Sequence, residues 1–314
     1  MSAARPRLAG VVVHWHTEEA LAELLDAWPH GDPRFELVVV DNGSAGELDV
    51  PRGVRLLAPA ANLGFAGGVN LGVDSTEAPL VLVLNADVKP RPGSLDALLQ
   101  GFESLPDAAG LVPRLLAPDG SSQCRWQLRP LPTVWQVLRQ TLFVGGPQGP
   151  RSEPAAATVV GQPAAAALAL RRERLAALGG LDAGFHPAWF EDVDLARRAA
   201  AAGELFRYWP AAVLEHRLGS TVDRLGYGPF LVAYYRNLVR YLHKHHGRWW
   251  AGAARLLLPL AAGLRLLLLP LRRPNRARSR AQAAAALLSL ARAAVRGFAQ
   301  PPARAGDVRE RGAP

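Results

Sequence analysis

The sequence predicts an α/β fold with a mostly parallel central sheet, followed by a helical extension of a different character. Three observations carry this expectation. The first hundred residues alternate apolar runs with an amphipathic stretch and a glycine-rich one in the order β-α-β-β-α-β. Three of the apolar runs lead into polar residues (His14 and His16, Asp41, Asp87) at the end of a strand where such sheets bind ligands. From Trp249 onward the chain turns to leucine, alanine and arginine with almost no acids.

Leu8–His14 is a continuous apolar run, as a strand covered on both faces requires. Thr17 stands where it can cap the next helix, and Glu18 and Glu19 suit its positive end. Leu21, Leu24, Leu25 and Trp28 then form one helical stripe. Strands follow at 37–40, 54–57 and 80–84, with a helix from about Gly93 to Leu105. Pro118-Asp119-Gly120 predicts a hairpin turn, and 144–157 a loop. A helix over 172–178 is stopped by Gly179-Gly180. Another begins near Glu191 and ends at Gly203, strands follow at 205–209 and 213–215, and a helix covers about 229–246. These elements divide the chain into an α/β domain, 1–247, and a basic helical extension, 248–314, with a disordered end.

The formal charge of +9 does not point to nucleic acid, because the arginines crowd the last quarter among leucines. Arg265, Arg272, Arg273, Arg276, Arg278, Arg280, Arg292 and Arg296, with Trp249-Trp250 ahead of them, suit an anionic lipid surface. Arg255, Pro259, Arg265 and Pro270 interrupt 251–271, so an in-plane helical hairpin is expected rather than a span. A soluble helical pair docked on the α/β domain or on a second subunit is the alternative. The single cysteine, Cys124, excludes an intramolecular disulfide and a Cys-rich zinc site, which suits a reducing compartment. No secretory h-region is present near Met1, so a cytoplasmic location is expected.

Asp41, after a buried strand and before Asn42-Gly43-Ser44, can accept from a pyrimidine ring N–H or a ribose hydroxyl, or can simply close an Asx-turn. The stretch Asn62–Gly72 brings glycines close to a ligand and aims helix-start N–H groups at phosphate, or is plain loop geometry. Asp87, presented by a core strand, suits Mg²⁺ or Mn²⁺ at a diphosphate. Phe185 to Asp194 places three acids at a helix start behind aromatic residues. Apolar rings raise a carboxylate towards general-base values, and sugars stack on them. Asp192 and Asp194 lie about 200° apart on a helix and cannot share one task. His216, after a strand and before Gly219-Ser220-Thr221, is a metal or diphosphate candidate.

Taken together these segments resemble family 2 glycosyltransferases of the GT-A fold, in particular the rhamnosyltransferase-like branch. Val38-Val39-Val40-Asp41-Asn42-Gly43-Ser44 is similar to that family's V-V-D-N-x-S, and Asn62–Gly72 to its N-x-G-F-A-x-G-x-N-x-G. Asn85-Ala86-Asp87 stands at the place of D-x-D or N-P-D. Gly179–Phe185 with Glu191-Asp192-Val193-Asp194-Leu195 and Arg197 or Arg198 resembles G-G-F-D-E-x-F…E-D-x-D-L-x-x-R, and His216–Ser220 resembles H-x-x-G-S. The likeness covers about residues 8–246.

The resemblance implies an inverting hexosyl or deoxyhexosyl transfer from a nucleotide-diphosphate sugar to an acceptor hydroxyl, in cell-surface polysaccharide or glycolipid synthesis at the membrane. His14, Asp41, Asn62, Gly64, Gly67, Asn70, Asn85 and Asp87 would hold the donor. Asp87 and His216 would hold Mg²⁺ or Mn²⁺, Asp192 with Glu191 would serve catalysis, and Trp189 and Phe190 would meet the acceptor. Asn85 in place of the first D-x-D carboxylate removes one metal ligand, and His14-Trp15-His16 departs from the family's usual segment. Two other readings compete. A sugar nucleotidyltransferase would carry a basic Gly-rich loop near the first strand, which is missing here, and a non-catalytic membrane scaffold would not need all three acids.

Overall fold

A computed structural model describes residues 5–44, 48–144, 146, 148–217, 224–271, 277, 279–298 and 308–311. The strands are β1 (Leu8–His14), β2 (Phe35–Asp41), β3 (Val54–Pro59), β4 (Leu80–Asn85), β5 (Val88–Pro90), β6 (Ala108–Leu116), β7 (Leu128–Arg129), β8 (Val159–Val160), β9 (Gln162–Pro163), β10 (Ala167–Arg171), β11 (Leu205–His216) and β12 (Val308–Arg311). The helices are α1 (Glu18–Ala27), α2 (Gly64–Asp74), α3 (Ser94–Ser104), α4 (Cys124–Gln127), α5 (Val134–Gln140), α6 (Arg172–Ala177), α7 (Glu191–Ala201), α8 (Tyr227–His246), α9 (Arg248–Leu268) and α10 (Arg280–Arg296).

The main sheet runs β12-β3-β2-β1-β4-β10-β6-β11-β5, with β8 paired to β11. Its β3-β2-β1-β4 half is parallel, as expected. The other half is mixed, because β10 enters antiparallel between β4 and β6. The two strands expected at 205–209 and 213–215 are one strand, β11, with a register shift between Trp209 and Val213. The end of the chain, expected to be disordered, supplies β12 against β3. Without it β3 would be an edge with unpaired backbone groups.

Strand alternation divides the core into two layers. Leu8, Val12, Leu82 and Leu84 face α1 and α3 on one side, while Val11, Val81 and Val83 face α2 and α7 on the other. The predicted stripe Leu21, Leu24, Leu25 and Trp28 is buried in the first layer. Helix α2 lies close on β1, since a Cβ at Gly68 or Gly72 would meet Val13 or Val11. Thr17 does not cap α1; its Oγ1 turns back to His14 Nδ1 at 3.0 Å.

A third core gathers α8, α9 and α10 with α5 and with Phe185, Phe190 and Val193. The boundary expected at 247 is therefore not a break in packing: the extension shares a core with the segment that carries the acids. Arg265 and Arg255, which interrupt the apolar run, reach the carbonyls of Phe143 and Ala294. Arg272, Arg273, Arg276 and Arg278 lie outside the described residues.

Candidate active site

The central strand β1 has β2 on one side and β4 on the other, so chain direction across the sheet reverses at its carboxyl end. Register places His14 beside Asp41 and Val13 beside Asn85. His14 is 0% exposed, and its Nε2 has no hydrogen-bond partner. Burial lowers the His14 pKa, although Asp41 opposes this, so the ring is neutral at physiological pH. Asp41 Oδ1 accepts from the Ser44 amide at 3.0 Å, closing the turn after β2.

Asn42 is the keystone of the neighbouring loop. Its Oδ1 accepts from the Leu63 amide at 2.8 Å, and its Nδ2 donates to Gly64 O at 3.1 Å and Asn62 Oδ1 at 3.2 Å. Asn62 in turn accepts from the Gly64 amide at 2.8 Å. Gly64 sits at φ +71°, and a Cβ there would meet His186 and the Pro187 carbonyl. Its glycine is thus required by a second loop, where Phe65 N donates to Pro187 O at 2.6 Å. A Cβ at Gly67 would meet Leu63 and lie 3.9 Å from Ala183.

Two expectations change here. Asn70, expected on the donor, spends both polar atoms on Leu181, accepting from its amide at 2.9 Å and donating to its carbonyl at 2.8 Å. It anchors the Gly179-Gly180 turn. Phe190, expected to stack on an acceptor, is 5% exposed and packs on Tyr234 and Tyr241. The reason is tertiary, because α8 covers that ring. Trp189 is half-buried, edge-on to Phe230.

The approach to α7 is held under strain. Trp189 and Phe190 both have φ of +75°, in the left-handed region that bulky residues avoid. Asn237 of α8, fully buried, secures them: its Nδ2 lies 2.8 Å from Ala188 O, 3.1 Å from Trp189 O and 3.2 Å from His186 O. Nearby, Asp182 faces Lys244 Nζ at 2.7 Å and Arg240 at 3.1 Å. Burial alone would raise this carboxyl, but Lys244, the Gly184 amide and Arg240 outweigh it and hold it at about 2. A depressed acid stabilises the fold above its unfolded value of about 3.9 and loses that contribution as pH falls further. Asp182→Asn should therefore flatten the acid limb of a urea-denaturation series between about pH 4 and about pH 2. Parallel acid limbs in the two proteins would refute this.

Asp87 and His216 meet across the end of β4 and the end of β11, with His216 Nε2 3.5 Å from Asp87 Oδ1 and both side chains buried. The Arg217 amide donates to Asp87 O at 3.0 Å. Leu218 to Ser220, the rest of the motif, lie outside the described residues. Among the described residues no three His, Cys, Asp or Glu side chains converge on a metal position. Two protein ligands nonetheless fit Mg²⁺ or Mn²⁺, which complete their shells with water and diphosphate oxygens.

The three acids of α7 go three ways. Asp192 Oδ2 meets Arg129 and the Gln162 amide, each at 3.0 Å. Asp194, 0% exposed, is gripped by Arg198 at 2.8 Å and by Lys244 and His245 at 2.7 Å each. Glu191 is 6% exposed, and its Oε2 has no hydrogen-bond partner. Burial, reinforced by Asp192, raises the Glu191 pKa well above the usual carboxylate range. It sits inside the protein rather than on an open face, unlike the catalytic place expected for it.

Residues 123–129 join the two ends of the site. Gln123 holds His216, Gln127 O accepts from the Ala164 amide at 3.2 Å, and Arg129 reaches Asp192. The chain after it returns to the carboxyl end of β4, where Asn85 N donates to Ala166 O at 2.9 Å. Sequence reasoning passed over Gln123, Arg129, Gln162, Asn42 and Asn237. A signal for the first two was present in the run of polar residues around the lone cysteine, Gln123-Cys124-Arg125-Trp126-Gln127-Leu128-Arg129.

Carboxylates and a histidine at the switch point of a half-parallel sheet, with a further carboxylate on a helix start, define the class: a nucleotide-sugar transferase of the GT-A fold. Comparison with known proteins makes this specific. Residues 11–155 match the profile of Glycosyl transferase family 2. The chain is 32% identical over 280 residues, 80% of its length and 87% of the relative's, to the N-acetylglucosaminyl-diphospho-decaprenol L-rhamnosyltransferase of Mycobacterium tuberculosis. It also superposes with a TM-score of 0.51 and 16% identity on the Pyrobaculum calidifontis mannosyltransferase PcManGT in complex with GDP-Man and Mn²⁺, covering 93% of this chain and 88% of that one. With GalNAc-T7 bound to UDP, GalNAc and Mn²⁺ the TM-score is 0.54 at 13% identity, over 76% of this chain and about half (48%) of that one. The chain belongs to glycosyltransferase family 2 and is a nucleotide-sugar glycosyltransferase.

Proposed function

We propose that the enzyme transfers a deoxyhexosyl group, rhamnose first among the candidates, from a nucleoside-diphosphate sugar to a hydroxyl of a diphosphopolyprenol-linked sugar during cell-envelope synthesis. The relative from Mycobacterium tuberculosis supports this choice of donor and acceptor. The observation that carries the chemistry is the span of residues 123–129 between the Asp87–His216 pair and Asp192. A divalent cation on Asp87 and His216 would neutralise charge on the departing nucleoside diphosphate. Asp192 takes the proton of the acceptor hydroxyl as its oxygen attacks the anomeric carbon, and the nucleoside diphosphate leaves from the opposite face. A single displacement of this kind inverts the anomeric centre. His14, Asp41 and Asn85 line the edge where the nucleoside would lie.

A lipid-linked acceptor calls for a membrane surface, and α9 offers one. Leu256, Leu260, Leu264 and Leu267 form one exposed stripe, with Trp249, 79% exposed, ahead of it and exposed Leu271 just past the helix end. The helix is long and apolar enough to cross a bilayer, with 28% of its apolar window buried in the protein. Its basic neighbours favour lying at the cytoplasmic face of an anionic membrane. The test is a donor panel of UDP-, GDP- and dTDP-sugars, with and without Mn²⁺, against a diphosphopolyprenol-linked N-acetylglucosamine in anionic vesicles. Transfer of rhamnose by vesicle-bound enzyme is the expected result. Release of pyrophosphate from a nucleoside triphosphate, or no turnover of any donor, would overturn the assignment.

A further inference from the structure

Gln123, just before α4, is 5% exposed and held by its own backbone, whose amide donates to Leu115 O at 3.0 Å. Its side chain meets His216 twice. Nε2 donates to the His216 backbone carbonyl at 2.8 Å, and Oε1 lies 2.8 Å from the imidazole Nδ1. The two contacts determine one another. A carbonyl only accepts, so the amide NH₂ must face it, which leaves the amide oxygen towards the ring. An amide oxygen also only accepts, so Nδ1 must carry the proton. In the neutral ring Nε2 then has a free lone pair, and it faces the Asp87 carboxylate at 3.5 Å. Two acceptors face each other across that gap.

We propose that Gln123 is a positioning residue that locks His216 in its Nδ1–H tautomer and aims the Nε2 lone pair at the cation held with Asp87. The inference rests on the cation reading above and concerns a residue outside the motifs that resemble the family's. A histidine ligand whose second nitrogen donates to a fixed acceptor is both oriented and made more basic, and loss of such partners typically weakens metal binding 10–100-fold.

The experiment has two readouts on the full chain. Nitrogen-15 NMR of histidine-labelled protein without metal, at about pH 8.5 where imidazole is neutral, reports the tautomer, with the His216 signal assigned from His216→Gln. Mn²⁺ titration in the presence of a nucleoside diphosphate, followed by electron paramagnetic resonance, reports affinity. The wild type should show a single Nδ1–H tautomer at His216. Gln123→Leu should lose it and bind Mn²⁺ about 10–100-fold more weakly. Gln123→Glu, which keeps an acceptor for Nδ1–H while giving up the donor to the His216 carbonyl, should retain the tautomer, which a fold defect would not; the tautomer is the readout for this variant, because its added charge attracts a cation by itself. An Nε2–H tautomer in the wild type, or unchanged tautomer and affinity in Gln123→Leu, overturns the proposal. No Mn²⁺ binding by the wild type, with the tautomer still dependent on Gln123, overturns the cation reading and this residue's part in it, and so separates the two failures.

Discussion

Asp192→Asn should reduce sugar transfer by about 10²–10⁴-fold, the usual worth of a positioned general base. Nucleoside-diphosphate affinity and melting temperature should stay close to the parent's. The change is nearly isosteric, and the carboxamide can still accept from Arg129 or Gln162, which now contact Asp192. In the structure those two side chains occupy Asp192 Oδ2, so an acceptor hydroxyl must approach beside them or displace them. Transfer rates measured with a saturating donor, alongside nucleotide titration calorimetry, make the check. A variant that turns over at the parent rate would remove Asp192 as the base.

Two residues along the same helix the outcome should reverse. Asp194→Asn is expected to cost stability rather than chemistry, because Asp194 is fully buried, balances Arg198 and Lys244, and meets His245 Nε2 at 2.7 Å. Removing the anion leaves the cations facing a neutral amide. Breaking a buried pair costs about 3–5 kcal/mol, and Lys244, partly open to solvent, favours the lower end of that range. Against a total of about 5–15 kcal/mol for a typical domain this is a large fraction. Urea denaturation of the two proteins decides it, and a difference of less than about 1 kcal/mol, the size of a surface ion pair, would contradict the account. The pair of variants thus separates two roles within one turn of α7.

Much of the scaffold was legible in the sequence. The apolar runs became β1, β2, β3 and β4, the stripe on α1 was buried as read, and Gly179-Gly180 stopped α6. These features are encoded locally, by side-chain period and turn chemistry, so a short window suffices to read them. Asp87 and His216 could be nominated separately, but their 3.5 Å approach joins residues from opposite halves of the sheet. The motif Asn62–Gly72 was visible, yet its residues do unequal work. Asn62 and Gly64 close the loop on Asn42 and Pro187, while Asn70 turns away to Leu181.

The sequence by itself determined the β-α-β-β-α-β order of the first hundred residues, the polar ends of those strands and the three acids at one helix start. Only the tertiary structure decided which acid does what. Helix α8 brings Lys244 and His245 to Asp194, the segment ending in β7 brings Arg129 to Asp192, and dense packing closes over Glu191. The same holds for Gln123, whose partner lies ninety-three positions away. Helical period says where a side chain leaves the helix axis; what waits there depends on the elements that pack against it, and no local pattern carries that information.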